Sequence, residues 1–162
     1  MRWLAVILFV TLAACTTKLD KAGRTESTVD PKYLLKSEVD RIADTNRAEV
    51  VNGLLLIADK LYKRNPKEWK KSGAVSREAA VERLRQRTYR NWPEFTGLRE
   101  GAVASLAFTE AYAGDRVMAL MYGLLSMVDA AFEHKEEFYI LDSLNELKLY
   151  NSARNMVVAI WK

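Results

Sequence analysis

Two side chains carry chemistry that no other position can supply: Cys15, the only cysteine, and His134, the only histidine. One cysteine excludes a disulfide within the chain, and one cysteine with one histidine falls short of the donor sets that hold zinc or iron. His134 lies among Glu133, Glu136 and Glu137, a grouping that could contribute to a metal site. A solvated histidine just past a helix C-terminus, where the helix dipole favours it, is the simpler reading. No bound metal and no cofactor is expected. A Ser–His system would have to use His134, and there is neither a nucleophile motif nor a phosphate-cradling glycine loop. The 21 Asp and Glu residues are too evenly spread for spacing to single out a catalytic pair. Nothing meets the requirements of an active site, so a non-enzymatic protein is expected.

The thiol has an informative address. Arg2 precedes the apolar run Trp3–Val10, which is shorter than the ~20 residues a spanning helix needs and has the length of a signal-peptide core. Directly behind it, Leu12-Ala13-Ala14-Cys15 resembles the lipobox of bacterial lipoproteins. The resemblance implies cleavage before Cys15, a diacylglycerol on its sulfur and an acyl chain, such as palmitate, on the new amino group. These covalent lipids would be the only non-protein groups. Thr16, rather than Asp, after the cysteine implies a periplasm-facing anchor in the outer membrane of a Gram-negative bacterium. The alternative is an ordinary signal peptide with a chance cysteine. Two or more acyl chains hold stably, since each buried methylene adds ~0.8 kcal/mol. The chain thus divides into a signal peptide at 1–14, a lipidated Cys15 with a flexible tether at 15–30, and one helical domain at 31–162, long enough for a real core.

The elements of that domain follow from caps and periodicity. Asp30-Pro31 reads as a helix start, and Asn65-Pro66 as its stop. Between them Leu35, Val39, Ala43, Val50, Leu54, Ile57 and Leu61 keep a helical period, predicting one long helix that runs through the polar stretch 44–49. Its phase puts Asn46 inside the apolar stripe, as a buried, partnered asparagine or a polar group facing a ligand. Residues 66–75 read as a basic loop. Ser76 caps a helix over 77–90, and another runs over about 98–113. Gly114 and Asp115 make a tight turn into a helix over 116–133. Gly97, Gly101 and Ser105 on one side, with Ala119 and Gly123 on the other, predict a closely packed helical hairpin. Ser143-x-x-Glu146 reads as a capping box opening a last helix, with Leu147, Tyr150, Val157 and Trp161 on its apolar face. The expected fold class is all-α, a compact bundle or repeat-like array of about five helices.

Two resemblances accompany this reading. The segment 110–120 (EAYAGDRVMAL) is similar to the inter-helix turn of tetratricopeptide repeats, which implies an array of antiparallel helix pairs. The segment 61–66 (LYKRNP), with the lipobox, is similar to periplasmic T-component lipoproteins of TRAP transporters, which implies a small-ligand-binding accessory subunit.

Charge is the remaining signal. Residues 60–90 hold eleven Lys and Arg against three Glu, a balance of +8, while 91–162 balance to −4. Tyr62, Trp69, Tyr89 and Trp92 interleave with the basic stretch. Such a mixture suggests nucleic acid in a cytoplasmic protein, but the lipobox argues against nucleic acid here. An anionic envelope component or a protein partner remains, contacted by Lys67, Trp69, Lys70 and Lys71, against a solvated face that pairs with the acidic half. In 149–155 (LYNSARN), Asn151, Ser152, Arg154 and Asn155 cluster; Asn46, Asn151 and Arg154 are candidates for a structural polar cluster or a small pocket. The expected function is a lipid-anchored periplasmic scaffold or adaptor, with a ligand-binding transporter subunit as the alternative and a cell-envelope hydrolase as a third class. A deep apolar cavity would favour the second class, and a filled core with a charged surface the first.

Overall fold

A computed structural model describes residues 16–19, 25–28, 35–87, 92–95 and 97–161 of the 162-residue chain. The signal peptide and Cys15, the Asp30-Pro31 start and Tyr89 lie outside the described residues. The class is all-α. Six α-helices occur among the described residues: α1 (Glu38–Arg64), α2 (Pro66–Lys71), α3 (Arg77–Arg87), α4 (Glu100–Leu106), α5 (Arg116–Ala131) and α6 (Glu146–Ile160), with a 3-10 turn at Pro93–Phe95. Within the stretch read as a tether, β1 (Thr16–Leu19) pairs antiparallel with β2 (Thr25–Thr28), Thr16 opposite Thr28. Their threonines, branched at Cβ, suit extended backbone.

α5 is the centre. Its composition is apolar nearly all round, as a helix needs when it is covered on every side, and it packs against α1, α2, α3, α4 and α6. Asp115 caps its start, accepting from the Met118 amide at 2.9 Å, as the Gly114-Asp115 turn predicts. The hairpin with α4 is as close as its small residues predict. A Cβ on Gly123 would lie 2.6 Å from the Ala104 amide nitrogen and 2.7 Å from the Glu100 carbonyl oxygen, so only glycine fits there. Trp92, Phe95 and Tyr122 form a buried aromatic group, with Phe95 stacked on Tyr122 at 5.2 Å and Trp92 edge-on to it at 5.4 Å.

α1 is one continuous helix across 44–49 and stops at Asn65-Pro66, as expected. Its start and its face differ from expectation. It begins at Glu38, where the Ser37 hydroxyl accepts from the Asp40 amide and the Asp40 carboxylate accepts from the Ser37 amide; residues 35–37 are not α-helical. The buried face runs through Asp40, Ala43, Arg47, Leu54, Leu55, Ala58 and Tyr62, so Ala43 and Leu54 of the predicted stripe lie at its edge. The face is roughly a quarter turn from that stripe, and Val39, Ile42, Val50 and Ile57 are exposed. Asn46 falls on this outward side and is exposed, not buried.

Three other elements depart from the sequence reading. Residues 66–71 form α2 rather than a loop, because Pro66 at the first helical position is pre-set for helix. α4 stops at Leu106 instead of running to 113. There the Ser105 and Thr109 hydroxyls bond the carbonyls four residues back, and the Arg116 guanidinium takes the carbonyls of Thr109 and Glu110. α6 is capped by Asn145, which accepts from the Lys148 amide at 3.0 Å, rather than by Ser143. Its face of Leu147, Tyr150, Val157 and Trp161 points outward, Leu147 67 % and Trp161 85 % exposed. Leu149, Ser152, Met156 and Ala159 face the body instead. α3 begins where predicted, with the Ser76 hydroxyl accepting from the Ala79 amide at 3.0 Å.

Candidate functional site

The basic stretch divides into a paired part and an unpaired part. Glu68 on α2 is its organiser. One carboxylate oxygen takes Lys71 at 2.8 Å and the other takes the Arg116 amide at 2.8 Å, so α2 is tied to the start of α5. Lys71 also reaches the Gly114 carbonyl at 3.4 Å. Burial alone would raise the pKa of Glu68, but the bonds from Lys71 and the Arg116 amide outweigh it and hold the carboxyl below its ordinary value. Arg77 pairs with Asp59 at 2.8 Å, and Arg83 donates to the Ser72 carbonyl at 2.7 Å. Tyr62 and Trp92 are core residues, and Trp69 is half-buried against the core with Lys70 over its ring at 5.5 Å. Of the predicted contact set, Lys67 and Lys70 are therefore exposed and available, whereas Lys71 and Trp69 serve the fold. Lys60, Lys63, Arg64 and Lys67 have no acidic partner among the described residues. Ile57, Lys60, Leu61, Lys63 and Arg64 line a surface groove here.

A second site lies where the end of α5 meets α6 and the start of α4. It is an open cavity of about 260 Å³. Met127, Ala130 and Ala131 form its apolar wall, and Glu100, His134, Asn151, Ser152 and Asn155 its polar side, with Lys148 at the rim. His134 is not simply solvated. Its Nδ1 lies 2.6 Å from Oδ2 of Asp129, which is 1 % exposed. Nδ1 is engaged by this carboxylate, so the open side of the ring presents Nε2. The imidazole is 58 % exposed, so one end is fixed and the other is open. Lys148 is held by both carboxylate oxygens of Glu133 at 2.9 Å. Glu100, Glu133 and His134 are the three non-glycine residues with positive φ among the described residues (53°, 54° and 58°). Such backbone costs of order 1–3 kcal/mol each and must be held by its surroundings. Here the Ser126 hydroxyl accepts from the Glu100 amide at 2.8 Å, and the Asp129 carbonyl accepts from the His134 amide at 2.8 Å.

Of the predicted 149–155 cluster, Asn151, Ser152 and Asn155 line this cavity, whereas the candidates Arg154 and Asn46 do not. Arg154 is exposed on the outward side of α6, and Asn46 sits on the outward side of α1. The sequence reading missed Asp129, although its signal was present: a lone carboxylate inside the apolar run Val117–Ala131, five residues before the only histidine. Among the described residues, no group of three or more His, Cys, Asp and Glu side chains is placed to hold a metal ion, and no helix is long and apolar enough to cross a membrane. Compared with protein-family models, curated proteins and solved structures, the chain matches none.

Proposed function

We propose that this chain is a lipid-anchored, non-enzymatic adaptor at the periplasmic face of the outer membrane, and that the outward face of α1 binds an acidic protein partner. The anchor rests on Leu12-Ala13-Ala14-Cys15 behind its apolar run. The observation that carries the binding role is the outer surface of α1. Val39, Ile42, Val50 and Ile57 are exposed along one side, Val39 at 69 %, and the same side continues into Lys60 and Arg64. An apolar line that ends in cations with no acidic partner among the described residues fits an amphipathic protein segment with carboxylates at one end better than it fits water. Charge complementarity sets orientation and speeds encounter, while the apolar line supplies affinity. The filled interior around α5 supports a scaffold over a carrier built on a deep apolar cavity.

A photo-crosslinking residue placed at Ile57, with Leu141 as an exposed control, tests this in intact cells. A protein adduct is expected from 57 and not from 141, and it should disappear with Lys60→Glu/Arg64→Glu. No adduct at 57, a lipid adduct instead, or a protein adduct indifferent to charge reversal would overturn the reading.

A further inference from the structure

We infer that the cavity between α4, α5 and α6 binds an uncharged, hydroxyl-rich small molecule of about one saccharide ring. The inference rests on the cavity's own residues and not on the anchor or on α1.

The cavity contains a built polar group. Ser152 is 8 % exposed, lines the cavity, and its hydroxyl has no hydrogen-bond partner among the described residues. Its oxygen is open to solvent on the cavity side, so it can exchange a water for a ligand hydroxyl. Opposite it stands His134, oriented by Asp129. Holding this ring requires two successive residues, Glu133 and His134, in the left-handed region normally left to glycine. Glu100, on the third side, takes the same unfavourable backbone conformation. Two of the three positive-φ residues, Glu100 and His134, line the cavity, and Glu133 adjoins His134, a conformation that the fold maintains at a cost.

Charge then narrows the ligand. Glu100 is the one carboxylate in the cavity lining, Asp129 stands behind His134, and the one lysine at the site, Lys148, is already taken by Glu133. The site is therefore negative or near neutral, and an anion would be repelled. A simple cation would answer the carboxylate but would leave unanswered the donor capacity of Ser152 and of the two amides. Vicinal hydroxyls answer every group, because each both donates and accepts. They can donate to Glu100, bond Nε2 of His134, accept from the Asn151 and Asn155 amides, and exchange with Ser152. Met127, Ala130 and Ala131 offer an apolar wall for the C–H face of a ring. The volume, about 260 Å³, lies below the ~300–1,000 Å³ of pockets for drug-sized ligands. One ring is the size that fits.

The single histidine makes the test direct. In the full chain labelled at histidine ¹³Cε1, and kept in a detergent without a sugar headgroup, the imidazole gives one NMR signal. Glucose, galactose, glucuronate and ethanolamine are the probes. A saturable shift is expected with a neutral hexose, with Kd on the order of 1 mM or weaker, and none with glucuronate or ethanolamine. Asn151→Ala/Asn155→Ala, two exposed positions whose loss does not threaten folding, should weaken that binding about tenfold, the effect of removing two ordinary hydrogen bonds. No saturable shift with either hexose would overturn the inference. So would an equal response to glucuronate, a response to ethanolamine alone, or hexose binding that survives the double substitution in a folded protein.

Discussion

The hydroxyl of Tyr62 on α1 donates to Oδ2 of Asp115 at 2.9 Å, across 53 positions of sequence, and both residues are buried. The other oxygen of Asp115 caps α5, so one carboxylate starts the central helix and fastens the longest helix to it. Burial raises both pKa values, the tyrosine with further help from the Asp115 charge, and carries the phenol well above its ordinary range.

Tyr62→Phe should therefore destabilise the fold by about 1–3 kcal/mol at neutral pH, because it strands a buried carboxylate oxygen. The alkaline side carries a second signature. A phenol that keeps its proton when folded, but loses it above pH ~10 when unfolded, contributes stability below that pH that fades as pH rises. The difference between wild type and Tyr62→Phe in urea unfolding should shrink from pH 7 to pH 11. An equal difference at both would show that the hydroxyl makes no such contribution.

Gly123 and Gly53 should respond in opposite senses to the same change. A methyl at 123 would meet backbone atoms of α4 that cannot step aside, so Gly123→Ala should cost about 1–3 kcal/mol. At 53, inside α1, a Cβ would meet nothing within 4 Å, and Gly53→Ala should stabilise by about 0.5–1 kcal/mol. Thermal unfolding of the two variants decides it, and a shift of the same sign in both would contradict the packing of α4 on α5.

These glycines show what was legible in the sequence. Close approach needs small residues, and Gly123 announced it on α5, but on α4 it meets Ala104 and Glu100, while the predicted Ser105 is exposed. Caps with one good candidate, Ser76 and Asp115, were equally readable. Where two candidates stood together, Ser143 and Asn145, the chain used the second. The register of α1 was not readable, because the helix has two apolar sides and periodicity alone cannot say which meets the core. The same error buried Asn46 and turned α6 inside out. The pairing of Asp129 with His134 was hidden for another reason: it forms across a helix end, where helical phase no longer predicts neighbours.

Glu68 should govern part of the acid response. Its folded pKa is lowered, so it contributes stability above the unfolded value, near 4.3, that is lost as pH falls through the folded one. For a half-buried group the contribution should be about 1 kcal/mol or less. Glu68→Gln should lower stability at pH 7 and flatten the loss of stability below pH ~4 relative to wild type. Unfolding midpoints across pH 2.5–7, on the order of the range in which such a carboxyl titrates, would show this; parallel curves would remove Glu68 from the account.

Lys71 should separate from Lys67 and Lys70. Lys71 joins Glu68 and the Gly114 carbonyl, and Lys71→Gln should cost a few tenths to about 1 kcal/mol. Lys67→Gln and Lys70→Gln should leave stability within about 0.5 kcal/mol of wild type, as for most surface changes. If these two cations serve an anionic partner, their double variant should weaken its binding, and wild-type binding should fall with salt, since exposed charges are screened beyond ~8 Å at physiological ionic strength. Chemical denaturation and partner titration on the same samples test both halves. A stability loss at 67 or 70 equal to that at 71 would refute the division.

The last prediction concerns Cys15. If Leu12-Ala13-Ala14-Cys15 is a lipid attachment signal, the thiol is the acceptor of the first acyl group, and serine at that position leaves no sulfur to modify. Cys15→Ser should then accumulate as an uncleaved precursor that takes up no labelled palmitate, while the wild type takes up label and loses residues 1–14. Because two or more acyl chains anchor stably and one chain binds only reversibly, the wild type should stay with the membrane through a high-salt wash. Label retained by Cys15→Ser would end the lipoprotein reading. Cleavage of both forms with label in neither would return the N-terminus to an ordinary signal peptide with a chance cysteine.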